Sequence, residues 1–298
     1  MRAMVTTCLG LALGLGSCGG STATPDAAAT SDAATTPSDQ LIARLAGKRI
    51  LWIGAHPDDE STIAPILGEA CVDQHAVCSF LVLTRGESGN CARLDGCLPD
   101  LVTVRMQELA AAAQIYGATV LQGSLPDGAA SDPAGVIAAW TTAAGGTDAL
   151  VRSVTEAIAS AHPDVIVTFD ARHGTTCHPD HRAAGALVQA GLTQLGAAAP
   201  DAYVSEARLD GTAETSFGFV AVVPDDARAI HYDANRVTAG AGGATWNYVL
   251  KNLAAHASQF TPAQIAAFMA APAAARSGYL LPAAEATGAD ARYDGLCP

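Results

Sequence analysis

The chain has 298 residues, 16 of them basic and 29 acidic, for a formal charge of −13. That balance excludes a broad basic surface for nucleic acid or another polyanion. Lysine occurs only at Lys48 and Lys251, which removes most candidates for Schiff-base or phosphate-cradling chemistry, while half the residues are apolar and only 15% charged, a composition that supports a sizeable core.

At the N-terminus Arg2 precedes an apolar run from Met4 to Gly16, too short for the ~20 residues of a spanning helix, and it reads as a signal peptide. The run ends in Leu15-Gly16-Ser17-Cys18, which resembles a bacterial lipobox. Residues 1–17 are then a lipoprotein signal peptide and Cys18 the lipidated residue. Residues 18–40, almost all Ser, Thr, Ala, Asp, Gly and Pro, are a disordered tether, since such a composition buries too little to fold. The expected location is the bacterial cell envelope, with contact to the membrane only through the lipid anchor. Only Asp26, Asp32 and Asp39 among the acidic residues precede residue 41, so the acidity belongs to a single domain over 41–298.

Within that domain, Arg49 to Ala55 (RILWIGA), Val77 to Thr84 (VCSFLVLT) and Asp164 to Phe169 (DVIVTF) are apolar runs suited to strands buried on both faces. Helices are predicted at Val104 to Tyr116, closed by Gly117 as a C-cap, at Asp148 to Ala161 and at Ala183 to Leu195. A strand at Phe217 to Val223 and a helix at Trp246 to His256 follow. Thr261-Pro262-Ala263-Gln264 has capping-box order and starts a last helix reaching about Ala270. Strand and helix alternate as in βαβ crossovers, so the expected fold is α/β: a three-layer Rossmann-like sandwich with a mostly parallel sheet and its site at the carboxyl ends of the strands. No Gly-x-Gly-x-x-Gly follows a predicted strand, which leaves a dinucleotide cofactor without support.

Outside the leader there are six cysteines, an even number that favours disulfides in an exported protein. Short separations favour Cys71 with Cys78 and Cys91 with Cys97, leaving Cys177 for Cys297. A cysteine metal site would need a CxxC spacing, which is lacking.

The chemistry is concentrated in two clusters. The first strand runs into Ala55-His56-Pro57-Asp58-Asp59-Glu60, and the strand ending near Asp170 leads to Cys177-His178-Pro179-Asp180-His181. Each alone reads equally as a turn or a helix cap. Together, beyond the carboxyl ends of parallel strands, they can share one crevice. Three carboxylates this close call for a cation, and two histidines with a carboxylate form a three-donor set with an open position, the pattern of catalytic zinc.

These two stretches make the chain resemble the PIG-L/LmbE family of zinc-dependent N-acetylglucosaminyl deacetylases, whose hallmarks are Ala-His-Pro-Asp-Asp-Glu after the first strand and His-Pro-Asp-His after a later one. Further similarities are Thr84-Arg85-Gly86-Glu87 with Gly89, Arg105 with Glu108, Leu125-Pro126-Asp127-Gly128, and Lys251 to Gln259. The resemblance spans roughly residues 47 to 260. It implies His56, Asp59 and His181 as ligands of Zn2+, with Fe2+ accepted by the same donors. It implies Asp58 as the general base and His178 as the group that stabilises the oxyanion or protonates the leaving amine, with Asp180 offsetting the metal's field at His178. Arg105 and Asp127 are expected to bind substrate hydroxyls, although an Arg105–Glu108 pair within one helix reads equally well. His256 is undecided between the sheet end and a helix surface, and His75, His162, His173 and His231 read as surface or loop residues. The implied reaction is removal of the N-acetyl group from an N-acetylated amino sugar or glycan of the envelope. The alternatives are a zinc amidase acting on a non-sugar amide and a catalytically silent glycan-binding lipoprotein. Asn90 to Pro99, carrying Cys91 and Cys97, departs from the family pattern and reads as a disulfide-closed loop at the pocket rim.

Overall fold

A computed structural model describes residues 35–206, 228–286 and 297. The leader with Cys18, the tether up to residue 34 and the strand expected at Phe217 to Val223 lie outside the described residues. In chain order the elements are α1 (Pro37–Leu45), β1 (Arg49–Gly54), a 3-10 turn (Asp59–Ile63), α2 (Ala64–Leu67) with a π-helical continuation (Gly68–Asp73), β2 (Val77–Thr84), α3 (Leu101–Tyr116) and β3 (Thr119–Leu125). Then come α4 (Pro133–Ala144), α5 (Thr147–Ala161), β4 (Val165–Phe169), α6 (Pro179–Leu195), β5 (Asp201–Glu206), β6 (Ile230–Asp233), β7 (Val237–Thr238) and β8 (Gly243–Ala244). α7 (Asn247–Ala255), α8 (Pro262–Met269) and β9 (Ser277–Pro282) complete the set.

Seven strands form one sheet in the order β3-β2-β1-β4-β5-β9-β6. The pairings from β3 to β5 are parallel, and β9 runs antiparallel to both β5 and β6. This is the α/β, mostly parallel arrangement expected from the apolar runs. Trp52 of β1 lies in register with Phe80 of β2 and Val167 of β4. Its ring meets Phe169 edge-on at 5.2 Å, and Trp52, Phe80 and Phe169 are fully buried. One set of helices, α2, α3 and α7, packs together, and α4, α5 and α6 form another, so the sheet is the middle of three layers.

The position of β1 decides where a site can form. From β1 the chain steps outward to β2 and β3 on one side, then returns to β4 and β5 on the other. The loops leaving the carboxyl ends of β1 and β4 therefore diverge and leave a crevice between them, the usual ligand position in open α/β sheets.

α1 begins at Pro37, four residues before the boundary expected at residue 41. Thr36 and Asp39 form a reciprocal capping box with proline in the first turn, and Leu41, Ile42 and Leu45 bury the helix's inner face, so a segment of tether-like composition is drawn into the domain. α3 ends at Gly117 with φ 63°, and α8 carries the Thr261–Gln264 capping box, both as read from the sequence. Three disulfides join Cys71 to Cys78, Cys91 to Cys97 and Cys177 to Cys297, the pairing favoured by the separations. Among the described residues no helix is long and apolar enough to cross a membrane.

Candidate functional site

The loop after β1 and the N-terminus of α6 meet in the crevice, and His56, Asp59 and His181 lie together there, each at least nine-tenths buried. Asp59 Oδ2 accepts the backbone N–H groups of Ala55 and His56, both at 2.7 Å. Its Oδ1 is left 3.0 Å from His181 Nε2 and 3.6 Å from His56 Nδ1, and the two ring nitrogens are 3.1 Å apart.

The hydrogen bonds behind these three groups assign their protons. His181 Nδ1 sits 3.0 Å from the carbonyl of Gly174 and 3.0 Å from Thr176 Oγ1, and because a carbonyl only accepts, Nδ1 donates and Nε2 is bare. The ring also stacks flat on Phe169, with centroids 4.2 Å apart. His56 Nε2 faces Asp127 Oδ1 at 3.0 Å and Asp180 Oδ2 at 3.2 Å, so Nε2 donates and Nδ1 is bare. Two lone pairs and a carboxylate oxygen thus converge at 3.0 to 3.6 Å. Donors bound at ~2.0–2.1 Å around a tetrahedral zinc are about 3.3 Å apart, so the set fits such an ion. Without a cation the convergence is repulsive. Burial opposes protonation of His56, but Asp59, with hydrogen bonds to Asp127 and Asp180, raises its pKa well above the ordinary histidine value. Asp59 is shifted the other way: burial works to raise it, while His181 and His56 hold it well below the usual carboxylate range. A field that draws a proton to this point also draws a metal cation.

Asp58 stands beside these donors on the cavity wall. Its Oδ2 accepts from Arg105 Nη2 at 3.0 Å, and its other oxygen has no partner among the described residues. Burial raises the carboxyl pKa and Arg105 opposes that rise only in part. His178 caps α6: its Nδ1 accepts the N–H of Asp180 at 3.2 Å, so in the neutral ring the proton sits on Nε2. Burial, with His181 and His56 close by, lowers its pKa to about 4. The ring packs edge-on to His56, with centroids 4.8 Å apart.

Three of the expected site residues are also engaged within the protein. The Asp180 charge works to raise the His178 pKa without overcoming burial and the two neighbouring rings, and its Oδ2 accepts from Gly128 N at 2.9 Å and from His56 Nε2, while the His178 nitrogen facing the helix is taken by the cap. Asp127, expected on substrate hydroxyls, has Oδ1 on His56 and Oδ2 on the N–H of Ser88 at 2.7 Å. Burial works to raise its pKa, but the hydrogen bond and charge of His56 together with the Ser88 N–H lower it. Arg105, expected in the same role, is 3% exposed and donates to Pro57 O, Gly86 O and Asp58. It does not pair with Glu108, which accepts the backbone N–H and the hydroxyl of Ser258. Gly86 has φ 66°, and a Cβ there would run into the Arg105 guanidinium, so the turn after β2 needs glycine twice over.

His256 and Glu60 are fully buried and lie 2.6 Å apart. His173, expected at the surface, is buried beside Asp170 and Glu206. Those three could also face a cation, but Arg172 holds the Asp170 carboxylate at both oxygens, so a positive charge already occupies that corner. Nothing in the pattern of residues 170–177 marks His173 as buried, since its partner Glu206 is 33 positions away.

A cavity of about 520 Å³ opens over the converging donors, within the size range of small-molecule sites. Ser61, Thr62 and Ser88 line it, together with Gln259 and Phe260 of the α7–α8 turn and Gln264 in the first turn of α8. Arg105 is its only Lys or Arg among the described lining residues.

Residues 51–191 match the family model described as PIG-L, GlcNAc-PI de-N-acetylase. None of the curated proteins matches the chain in sequence. Among solved structures, the A40926 pseudoaglycone deacetylase Dbv21 is similar with a TM-score of 0.54 and 16% identity, over 79% of this chain and 97% of that one. A triple mutant of a deacetylase of teicoplanin biosynthesis gives 0.51 and 16%, over 78% and 97%. The 4-carboxy-2-hydroxymuconate hydratase GalB of Pseudomonas putida KT2440 gives 0.51 and 15%, over 78% and 94%. At these identities the shared property is the fold, and that fold serves a hydratase as well as deacetylases.

Proposed function

The chain belongs to the PIG-L/LmbE family through residues 51–191, and from that premise we propose that it is a metal-dependent hydrolase that removes the N-acetyl group from an N-acetylated amino sugar. The observation that carries this reading is the convergence of His56 Nδ1, His181 Nε2 and Asp59 Oδ1 with an ionisable carboxylate, Asp58, alongside. Those three groups would hold Zn2+, or Fe2+, which accepts the same donors. When bound, the metal supplies Lewis acidity toward the amide carbonyl and acidifies water.

The remaining steps belong to the chain. Asp58, held by Arg105 and with its proton affinity raised by burial, takes a proton from the attacking water and returns it to the leaving amine. His178, neutral and with Nε2–H available, donates a hydrogen bond to the oxygen on which negative charge develops. Asp127 and Asp180 keep the His56 proton on Nε2, which leaves Nδ1 as the donor atom. Arg105, the one Arg among the described lining residues, is engaged by Asp58 and two carbonyls, while Asp127, hydroxyls, amides and Phe260 line the cavity beside the metal donors. This favours an uncharged glycan over a phosphate-bearing headgroup. The address we propose is the bacterial envelope with a lipid anchor at Cys18. Support comes from the apolar leader ending in Leu15-Gly16-Ser17-Cys18 and from three disulfides, which suit an oxidising compartment.

The test is amine release from N-acetylglucosamine mono- and oligosaccharides by the metal-loaded full chain, with Asp58→Asn as the blank. Release that the blank lacks supports the reading. Silence across the panel with one metal bound per chain overturns it in favour of a non-sugar amidase or a binding protein.

A further inference from the structure

Asp58 has φ 131° and ψ −15°, a backbone region that residues with a Cβ rarely adopt. Such a conformation persists only where its surroundings over-determine it. On the cavity side Arg105 donates to Pro57 O at 2.7 Å and to the Asp58 carboxylate. On the opposite side Glu60 Oε2 accepts the Asp58 backbone N–H at 3.2 Å. Glu60 is fully buried, and its other oxygen accepts from His256 Nε2 at 2.6 Å and Asn252 Nδ2 at 3.1 Å. His256 and Asn252 stand at the end of α7 and are themselves fully buried. A buried carboxylate is expensive unless donors meet it. Here three donors do, and one of them is the main chain of the residue that bears the base.

We propose that Glu60, backed by His256 and Asn252, is the positioning device that locks the Asp58 backbone so that its carboxylate faces the reacting water. The inference rests on the reading of Asp58 as the base. Every partner of Glu60 donates, so the residue must accept at both oxygens. An amide at position 60 would turn a donor toward either the Asp58 N–H or the α7 donors. The pair acts through Asp58 and touches neither the substrate nor the metal donors.

The experiment uses the full metal-loaded chain with an N-acetylglucosamine oligosaccharide. His256→Leu removes the nearer donor, and His256→Gln restores an amide N–H within reach of Glu60. The expected result is a fall in kcat of at least ~10-fold for His256→Leu, with KM within about twofold, one metal still bound per chain, and most of kcat regained in His256→Gln. Asn252→Ala removes the second donor and carries the same test should the leucine variant fail to fold. Wild-type kcat in His256→Leu or in Asn252→Ala overturns the proposal, as does a kcat loss in His256→Gln equal to that in the leucine variant. Turnover surviving in Asp58→Asn overturns the function itself. Loss in Asp58→Asn with wild-type kcat in the α7 variants overturns only the positioning role.

Discussion

Replacing Asp127 by asparagine separates two roles for this residue, because the structure ties both of its oxygens to known partners. Oδ2 accepts the N–H of Ser88 at 2.7 Å and Oδ1 accepts from His56 Nε2 at 3.0 Å. An amide of the same shape must offer its oxygen to Ser88, which turns its NH2 toward His56 and drives the imidazole proton from Nε2 to Nδ1. Nδ1 is the atom aimed at Asp59 and His181, so the swap removes one metal donor from a fraction of the molecules. Groups behind a metal-binding histidine typically contribute 10–100-fold to affinity. Asp180 still faces Nε2 at 3.2 Å, which places Asp127→Asn at the low end, about tenfold or ~1.4 kcal/mol. The assay is a competition titration of Zn2+ against a chromophoric chelator with no substrate present. An unchanged zinc affinity with a raised KM would refute the reasoning and return Asp127 to the substrate-binding role expected from the sequence.

Other substitutions probe the remaining parts of the site and fold. His178→Ala should keep zinc and lose ~10²-fold or more in kcat, whereas His56→Ala and His181→Ala should lose both, and equal zinc loss in all three, measured by metal analysis after dialysis, contradicts the split. Gly86→Ala forces a Cβ into a left-handed turn against Arg105 and should cost about 1–3 kcal/mol in urea unfolding with a fall in kcat, so wild-type stability would count against the Arg105 clamp. Asp39 has its pKa lowered from 3.8 to about 2 by hydrogen bonds from Thr36 and by Arg236. Because the folded value is the depressed one, its contribution is full above about pH 4 and is lost as pH falls toward 2. Asp39→Asn should therefore be less stable than wild type at pH 7, with the gap closing in acid. A gap that persists at pH 2 would mean that the charge is not its source.

The central strands were legible because β1, β2 and β4 are buried on both faces and so appear as unbroken apolar runs. The edges were not. β3 alternates burial along Thr119–Leu125 and carries Gln122 and Gly123, so it gives no continuous run. β9 takes its meaning from β5 and β6, whose pairing partners lie 44 or more residues before it, from Asp233 opposite Ser277 outward. α4 did carry its own signal, Asp132 capping before Pro133, which the surrounding Gly, Ala and Ser obscured. At the site, residue types and spacing brought His56, Asp58, Asp59, His178 and His181 to one cavity. They did not reveal the partners of Arg105 and Asp127, because a motif identifies which side chains approach a crevice and not which atoms they satisfy on the way. Glu60 and His256 show the same limit, since only the folded chain brings residues 196 positions apart to 2.6 Å.

The Cys177–Cys297 bond joins residues 120 positions apart and closes a covalent ring that contains His178, His181, all of α6, α7 and α8, and the strands β5 to β9. A single peptide cut anywhere inside that ring divides the chain without releasing a fragment. Nicked and intact protein would therefore migrate together on a denaturing gel until a thiol is added. Activity measured before and after reduction of a nicked sample would then separate the loss of a peptide bond from the loss of the anchor beside His178.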